Sequence, residues 1–454
     1  MMIYQDVLNM FCKESPVTVM LRGTLENVFS VEKLDQLFRD HASEQREGEL
    51  LFSTLVDLMG LAVANVRPSV HAAYQHRKEQ MNVSIASVYN KLGGIETRVS
   101  RALVRQTAEH LRKLIVAMKA PLPKLLPGYR TKILDGNHLR RTDRRLGPLR
   151  EMNGAPLPGQ ALVVLDPSLM LMIDVILCKD AHSQERSLLP KVLDTVEKGD
   201  LWIEDRNFCT VGFVSGIHRR KAAFLVRLHG SMPFVAEGDW KRCGRCSTGK
   251  VREEHVAVTE KDGSKHRFRH IVIDLDEPSR DGETEIHLLT NLPNRIPAKK
   301  IADLYHQRWT IEAAFGEIAA AFHGEVNTLA YPSAALFAFC LALTMYNMLS
   351  VIKAAIRVAH GVDNATISTY HLAEEIACTY RGMMIVLPPP CWHEEFGELT
   401  IAQMASKLIA LAKNVYLPHF RKHPRGPINP AIKTFSKKGR KHVSTQRVID
   451  LCKT

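Results

Sequence analysis

The sequence predicts an α+β protein in which helices flank a mixed sheet. Three observations carry this prediction. Between about residues 31 and 118, apolar side chains recur at three- and four-residue intervals, as on one face of a helix. Short β-rich runs follow, among them TKILD, QALVVLD, LMIDVILC and LWIED. From residue 298 the spacing is helical again. The chain therefore combines an all-helical N-terminal domain with a sheet that helices cover.

The helical domain is expected over residues 1–120. Within it, SIASVYNKL and RALVRQTAEHLRKLIVAM predict a short helix and then a basic one, with Ser84 capping the first and Ser100 or Thr97 capping the second. This order suits a helix-turn-helix that binds DNA, and it fits equally a bundle whose helices only pack together. The prolines of PLPKLLPGYR end the helical pattern and mark a linker.

Five segments are expected after the helical domain. Residues 121–229 hold the first part of the core, in which SQERSLLPKVLDTVE predicts a helix between strands. A β-rich insertion is predicted over 230–292, where strand-like pieces are separated by KDGSK and SRDGET turns. The core resumes over 293–360, and a helical region follows over 361–413. Residues 414–454 are rich in proline and basic residues, which predicts a tail that is extended or ordered only on DNA.

The chain is basic. It has 61 lysines and arginines against 48 aspartates and glutamates, and its formal charge is +13. An excess of this size favours a polyanionic partner, with double-stranded DNA ahead of a membrane surface. A ribosome-associated or simply basic protein would have the same charge, so charge alone leaves that alternative open.

A cytoplasmic, nucleoid-associated protein with no membrane partner is expected. The N-terminus, MMIYQDVLNMFCKESP, lacks the basic start and apolar stretch of a secretory signal. The nine cysteines are an odd number scattered from Cys12 to Cys452, so no disulfide framework is predicted. Residues 334–352 reach the length of a membrane span, but they include Thr344 and Asn347, which favour a buried core helix.

Three acidic side chains form a candidate catalytic and metal site. Asp135 ends the run TKILD and precedes a glycine, and Asp205 ends LWIED, so both are expected where strands finish at a sheet edge. Glu312 lies in LYHQRWTIEAAFGEI, a predicted helix with Tyr305 and Arg308 on the same face. Each acid alone also has an ordinary explanation, as a turn residue, a surface ion-pair partner or an exposed helix residue.

Three converging carboxylates would suit Mg²⁺, which prefers oxygen ligands, with Mn²⁺ as a substitute. Two such ions about 4 Å apart activate an attacking water or 3′-hydroxyl and stabilise the leaving oxygen. The expected chemistry is hydrolysis and transesterification of phosphodiesters. The sequence has no Gly-x-x-x-x-Gly-Lys loop and no His-Glu-x-x-His motif, so nucleotide hydrolysis and zinc proteolysis lack support.

The string YHQRWTIE resembles the Tyr-x2-Arg-x3-Glu-x6-Lys signature of one subgroup of the DDE transposases of bacterial insertion sequences. The segments ILDGN and LWIEDRNF resemble the first and second aspartate regions of that family. The resemblance extends from about Lys132 to Leu349 and includes a β-rich insertion. It implies a ribonuclease-H-like core in which Asp135, Asp205 and Glu312 are the catalytic residues and metal ligands.

The resemblance also implies DNA contacts. Tyr305 and Arg308 would hold the phosphate beside the scissile bond. Trp309, an aromatic that also fits a core position, would stack on an unpaired base. The signature lysine is Ala319 in this chain. This departure implies either a basic residue elsewhere in its place or a weaker hold on the bound strand.

Dense positive charge follows the first aspartate. Arg140 and Arg141 are joined by Arg144 and Arg145, and guanidinium groups bind phosphates through paired hydrogen bonds. We expect Arg140 and Arg141 to contact DNA rather than to form an ordinary solvated surface.

Cys243 and Cys246 form a single Cys-x-x-Cys pair in the predicted insertion. A structural zinc ion would need two more ligands, and no second tight pair accompanies His255, His266 or His270. Reduced cysteines in a turn are the favoured interpretation.

Taken together, these features predict a transposase that binds insertion-sequence ends, cleaves DNA with a divalent metal and transfers the 3′-hydroxyl strand to target DNA. The resemblance further implies a homodimer on two paired ends and cleavage through a DNA hairpin. Two alternatives stay open. One is a DNA-binding protein that has lost catalysis, for which Ala319 is the only support. The other is a nuclease of the same fold that never joins strands.

Overall fold

Seven helices precede the sheet in the computed structural model, which describes residues 2–279, 282–423 and 442–453. They are α1 (Met2–Glu14), α2 (Pro16–Val28), α3 (Val31–His41), α4 (Phe52–Val63), α5 (Val70–Arg77), α6 (Ile85–Gly94) and α7 (Thr97–Ala117). The helical N-terminal region predicted from apolar spacing is therefore present, with α1 and α2 before the first helix that the spacing indicated.

The starts of α6 and α7 test the predicted caps. The side chain of Ser84 accepts a hydrogen bond from a backbone N–H three residues later (3.2 Å), as predicted. The N-cap of α7 is Glu96, so the prediction of Ser100 or Thr97 is wrong. The Glu96 carboxylate instead accepts hydrogen bonds from the backbone N–H groups of residues 43–45. It ties the loop after α3 to the start of α7.

Six strands and three short helices make up the first part of the core. The strands are β1 (Arg130–His138), β2 (Ala155–Leu157), β3 (Gln160–Asp166), β4 (Leu171–Cys178), β5 (Asp200–Glu204) and β6 (Ala223–Arg227). The helices are α8 (Gly147–Arg150), α9 (Leu189–Leu193) and α10 (Val211–Arg219).

Five of these strands form a mixed sheet in the order β4-β3-β1-β5-β6. β1 is parallel to β5, and β5 is parallel to β6. β3 alone runs in the opposite direction, because it is antiparallel to both β1 and β4. This order and direction are those of the ribonuclease-H-like fold, as predicted.

The helix predicted over SQERSLLPKVLDTVE is shorter than expected. The structure has a 3-10 turn, Glu185–Leu188, followed directly by α9. Pro190 lies at the start of α9, where the missing backbone donor is tolerated. The chain therefore makes a tight turn before α9, at a point where the sequence pattern indicated a continuous helix.

The predicted β-rich insertion continues the core sheet. Its strands are β7 (Val235–Ala236), β8 (Lys241–Arg245), β9 (Gly249–Thr259), β10 (Lys265–Leu275) and β11 (Glu285–Thr290). β11 pairs with β6, and the order continues through β10 and β9 to β7, with β8 also paired to β9. One ten-stranded sheet therefore joins the insertion to the core.

Six helices follow the insertion. They are α11 (Ala298–Tyr305), α12 (Trp309–Ala321), α13 (Pro332–His360), α14 (Thr369–Val386), α15 (Pro389–Trp392) and α16 (Ile401–Ala412). The single helix predicted through Tyr305, Arg308 and Glu312 is divided by a 3-10 turn, His306–Arg308. Among the helices of the described residues, α13 is the one long and apolar enough to cross a membrane, and this apolar stretch is fully buried. The interpretation of that stretch as a core helix is confirmed.

Two apolar layers cover the sheet. On one face, Ile133 and Ile203 belong to a core that also contains the N-terminal helices and α13. On the other face, Leu134, Trp202 and Phe224 pack with α9 and α10. The N-terminal helices thus share one apolar core with α13 and with the face of the sheet that carries Ile133 and Ile203.

The described part of the predicted tail is ordered against the core. β12 (His442–Ser444) pairs in parallel with β2, and α17 (Thr445–Leu451) packs near α8. Arg447 holds this segment through an ion pair with Asp180 (2.8 Å). The prediction of a tail ordered only on DNA is wrong for these residues, because β2 offers a strand edge that β12 pairs with. Residues 424–441 lie outside the described residues.

A buried amide secures α13 to the sheet. Asn347 accepts a hydrogen bond from the backbone N–H of Met172 (2.7 Å) and donates one to its carbonyl oxygen (2.9 Å). Met172 lies where the register between β3 and β4 shifts. Because the ladder is irregular there, the side chain of α13 satisfies backbone groups that a strand partner would otherwise bind.

We predict that Asn347→Leu lowers the free energy of unfolding by about 2–4 kcal/mol, because both groups of Met172 would be buried without partners. Urea denaturation of the full chain would measure this change. Thr344→Val is the matched control, since the Thr344 hydroxyl bonds only a carbonyl of its own helix, Cys340 (2.9 Å), and should change stability by about 1 kcal/mol or less. Equal losses in the two variants would contradict the assignment.

Candidate active site

Parallel pairing of β1 with β5 brings the two predicted aspartates to one edge of the sheet. Leu134 pairs with Glu204, so the residues that follow, Asp135 in β1 and Asp205 directly after β5, lie at the same level. The prediction that Asp135 ends its strand is wrong, because β1 continues to His138 through pairing with β3. Successive side chains of a strand point to opposite faces, and Asp135 therefore faces the same layer as Ile133. This is the face on which α12 packs.

Arg308 joins the third acid to this edge. Its Nη1 atom lies 2.7 Å from Oε1 of Glu312 and 3.7 Å from Oδ2 of Asp135. The arginine side chain is largely buried, whereas that of Glu312 is 48% exposed. Burial acts to lower the pKa of Arg308, but Tyr305 and the carboxylates of Asp205, Glu312 and Asp135 together raise it. Three predicted acids thus lie around one guanidinium.

The charge at this edge is only partly balanced. Burial raises the pKa of Asp135 to about 7, although Arg308 and the backbone N–H of Gly136 oppose the shift. The negative charges of Glu312 and Asp205 raise it further. The Asp135 carboxyl therefore resists ionisation mainly because it is buried, and the charges of the two other acids add to this effect.

The grouping of these acids bears on metal binding. Within the described residues, no three His, Cys, Asp or Glu side chains are close enough to hold one ion. The guanidinium of Arg308 lies between Asp135 and Glu312 instead. The donors still fit a hard divalent cation, because all of them are carboxylate oxygens and because such a cation would offset the charges of Glu312 and Asp205, which add to the raised pKa of Asp135.

The other two residues of the signature segment differ in exposure. Tyr305 is buried, and this burial raises its pKa; Arg308 opposes the shift and the charge of Asp205 adds to it. Trp309 is 46% exposed and meets the ring of His306 edge-on at 4.5 Å. Trp309 therefore lies at the surface beside the acids, where a nucleic-acid base could reach it, and not in the core.

Arg140 and Arg141 lie in the loop after β1 and are both exposed. The backbone N–H of Arg140 donates to the carboxylate of Glu325, and the side-chain Nε of Arg140 is 3.9 Å from an oxygen of that carboxylate. Arg141 and Arg144 line a cleft of about 800 Å³. Of the two predicted DNA-binding arginines, Arg141 thus borders an open cleft next to the strand that carries Asp135, and Arg140 is exposed beside it in the same loop.

Two polar residues near the aspartates were not predicted. Glu185, in the turn before α9, lies against Gly136, and its carboxylate accepts a hydrogen bond from Asn207. Asn207 is part of the string LWIEDRNF and could have been singled out there. Glu185 carries no sequence signal, because its place depends on how the chain returns from β4 to β5.

The cysteine pair lies in the insertion, at β8 and the turn after it. Sγ of Cys243 is 3.4 Å from the carbonyl oxygen of Lys241, and Sγ of Cys246 is 3.5 Å from that of Gly249. Neither belongs to a group of three metal-binding side chains among the residues described. Both thiols are free, but the prediction of turn cysteines is wrong for Cys243, which lies within β8.

The segment that carries the three acids matches a known family. Residues 129–348 match the family model of the transposase DDE domain. This part of the chain is therefore similar to the transposase DDE domain. The match begins and ends within a few residues of the Lys132 to Leu349 stretch over which the sequence resembles the transposases. No curated protein sequence matches the chain.

One solved structure similar to the chain is the cryo-EM structure of the piggyBac transposase synaptic complex with hairpin DNA. It is 10% identical in sequence, and the alignment covers 93% of this chain and 89% of that chain with a TM-score of 0.39.

The raised pKa of Asp135 predicts a pH-dependent effect on the stability of the metal-free protein. Since the pKa in the folded state exceeds that of an unfolded aspartate, the contribution of the protonated group is complete below about pH 4 and is lost as pH rises to about 7. Asp135→Asn cannot ionise. We expect it to raise the free energy of unfolding by about 1–3 kcal/mol at pH 8 and to change it little near pH 4.

Urea unfolding in EDTA at the two pH values would measure this difference. Asp143→Asn is the control, because Asp143 is half exposed on the loop after β1 and should give changes within about 0.5 kcal/mol at both pH values. If Asp135→Asn destabilised the protein equally at both pH values, burial would not raise the pKa of the Asp135 carboxyl.

Proposed function

We propose that this chain is a transposase that binds the ends of an insertion sequence, cleaves the DNA with a divalent metal and transfers the freed 3′-hydroxyl strand to target DNA. The observation that carries the proposal is the position of Arg308 between Asp135 and Glu312, with the charge of Asp205 also acting on it, inside the segment that matches the DDE domain. The signature segment around Glu312 further supports membership in the Tyr-x2-Arg-x3-Glu-x6-Lys subgroup, with alanine in place of lysine.

The three acids are proposed as the catalytic residues and as the ligands of Mg²⁺, with Mn²⁺ as a substitute. When bound, the metal activates the attacking oxygen and stabilises the leaving one. Water attack on the phosphorus breaks the bond to the 3′ oxygen at the element end, and this oxygen leaves as a hydroxyl. The 3′-hydroxyl then attacks a phosphodiester of the target and displaces its 3′ oxygen.

The chain's own cations orient the DNA strand in this proposal. Arg308, which lies between Asp135 and Glu312, would bind the scissile phosphate, and Tyr305 would support the arginine from its buried position. Trp309 is exposed beside them and is proposed to stack on an unpaired base. Arg140 and Arg141 contact the phosphates of the flanking duplex.

Two paired ends require two active sites, so we propose a homodimer on DNA. The partner is double-stranded DNA, both as element end and as target, and the place of action is the nucleoid in the cytoplasm. The formal charge of +13 supports a DNA partner.

We predict that Asp135→Ala, Asp205→Ala and Glu312→Ala each abolish cleavage of end DNA in Mg²⁺ and leave its binding within about threefold. The reason is that the carboxylates hold the metal, whereas affinity comes mainly from contacts to phosphates. Gel assays of nicking and of binding would measure both. Glu374→Ala, an exposed glutamate on α14, is the charge-matched control and should cleave normally.

Substantial cleavage by one of these variants would remove that residue from the site. If the wild type bound the ends but never nicked them, the chain would be a DNA-binding protein without catalysis. If it nicked them but failed to join a precut end to target DNA, it would be a nuclease of the same fold.

The alanine at position 319 predicts a gain of affinity. Ala319 is exposed on α12, seven residues after Glu312 and hence nearly on the same face. Lys353 and Lys422, which lie near this helix, are both paired with Glu317. We expect Ala319→Lys to bind precut end DNA more tightly by roughly 1–3 kcal/mol, the value of one charge-assisted phosphate contact.

The affinities of wild type and variant would be measured at two salt concentrations. Ala402→Lys adds the same charge to an exposed position on α16 and controls for a general effect of charge. Equal affinities of Ala319→Lys and wild type at both salt concentrations would sink the idea that the missing lysine weakens the hold on the strand.

A further inference from the structure

A short turn lies behind the two aspartates. The 3-10 turn Glu185–Leu188 connects the end of β4 to α9, and Leu188 packs in the apolar layer that contains Leu134 and Trp202. This layer covers the face of the sheet opposite to the one that Asp135 faces. The turn therefore touches the strand ends from the side away from Arg308.

Two consecutive residues of this turn hold the segment after Asp205. The carboxylate of Glu185 accepts a hydrogen bond from the side-chain amide of Asn207, and Nε of Arg186 donates to the backbone oxygen of Asn207 (2.7 Å). Asn207 is two residues beyond Asp205. Because both its side chain and its backbone are bound, the short 3-10 turn that follows Asp205 is fixed at two points.

The same carboxylate lies against the strand that carries Asp135. A β-carbon at position 136 would overlap Oε1 of Glu185, so any larger residue there would displace this carboxylate. Nδ1 of His138 is 3.7 Å from the same oxygen. Glu185 thus touches both strand ends at once, one residue beyond Asp135 and two residues beyond Asp205.

We infer that Glu185 is a positioning residue that fixes the spacing between Asp135 and Asp205, with Arg186 supporting it. Two like-charged side chains at one sheet edge repel each other, and a ligand pair that can spread apart binds a metal ion less tightly. The Glu185 side chain is only 16% exposed, and its oxygens already contact the amide of Asn207 and the backbone of Gly136. Its role is to hold the ligands in place and not to bind the metal. This inference rests on the proposed metal site.

The test measures metal affinity directly. Mn²⁺ binding to the full chain would be followed by isothermal titration calorimetry, alongside the Mg²⁺ concentration that gives half-maximal cleavage. We expect Glu185→Ala to weaken both by about tenfold or more, as is typical when the support of a metal ligand is removed. Glu185→Gln keeps an acceptor oxygen for Asn207 and the same length, so it should stay within about threefold of the wild type. Glu49→Ala, an exposed glutamate on the loop before α4, is the control.

A second pair of variants separates positioning from general damage to the fold. Gly136→Ala places a methyl group against the Glu185 carboxylate and should weaken Mn²⁺ binding in the same way. If both changes act through one contact, Gly136→Ala with Glu185→Ala should bind Mn²⁺ no more weakly than the weaker single variant. Glu185→Gln and Gly136→Ala decide the question even if Glu185→Ala does not fold.

The outcomes distinguish this inference from the proposed function. Unchanged Mn²⁺ affinity in Glu185→Ala, or losses in the two single variants that simply add in the double variant, would overturn the positioning role while wild-type cleavage stood. A wild type that binds Mn²⁺ but cleaves no end DNA would overturn the proposed function, and the affinities of the variants would still decide the role of Glu185.

Discussion

Parallel pairing of β1 with β5 brings two negative side chains to one edge of the sheet, and much of the surrounding structure compensates for this arrangement. β1 is central, with β3 on one side and β5 on the other, so the strand ends cannot separate without breaking a ladder. Burial at this edge raises the pKa of Asp135 to about 7. The positive charge of Arg308 lies between Asp135 and Glu312 and partly balances them.

The helices hold Arg308 and Glu312 in place by burying the residues around them. Tyr305, the last residue of α11, is buried in the core, and Ile311 and Ile318 lie on the buried side of α12. The opposite side of α12 carries Glu312 and stays open to solvent. A rigid buried side with an exposed acidic side is what a site for a long charged substrate requires, because the substrate can approach without disturbing the packing. The ten-stranded sheet extends this rigid platform into the insertion.

The sequence predicted those parts of the molecule that local patterns determine. Runs of β-rich residues locate the strands of the sheet, and the local pattern identifies two acids on neighbouring strand segments and a third on a helix face. What failed depended on partners distant in the chain. Glu96 caps α7 while binding the loop after α3, and Glu185 meets Gly136 only because the chain folds back behind the sheet. The site assignments themselves stay predictions until the variants are measured.

The prediction for the described part of the tail failed for the same reason. Its composition is that of a solvated, basic segment, and composition contains no information about an unpaired strand edge elsewhere. The edge of β2 is what orders β12, and Arg447 adds an ion pair to Asp180, which follows β4. A local pattern could locate neither partner.

The pairing of β12 with β2 also sets an order of events. β2 lies in the loop between β1 and β3, next to the arginines that follow the first aspartate, whereas β12 is synthesised long after both. Contacts between residues so far apart in sequence form late in folding, because the intervening chain must first be brought together. During synthesis on the ribosome, the loop that contains β2 therefore emerges before β12, and it has no partner strand while the insertion and the C-terminal helices are still being made. The neighbourhood of the first aspartate is thus among the last parts of the molecule to be completed, although that aspartate lies in the first strand of the sheet.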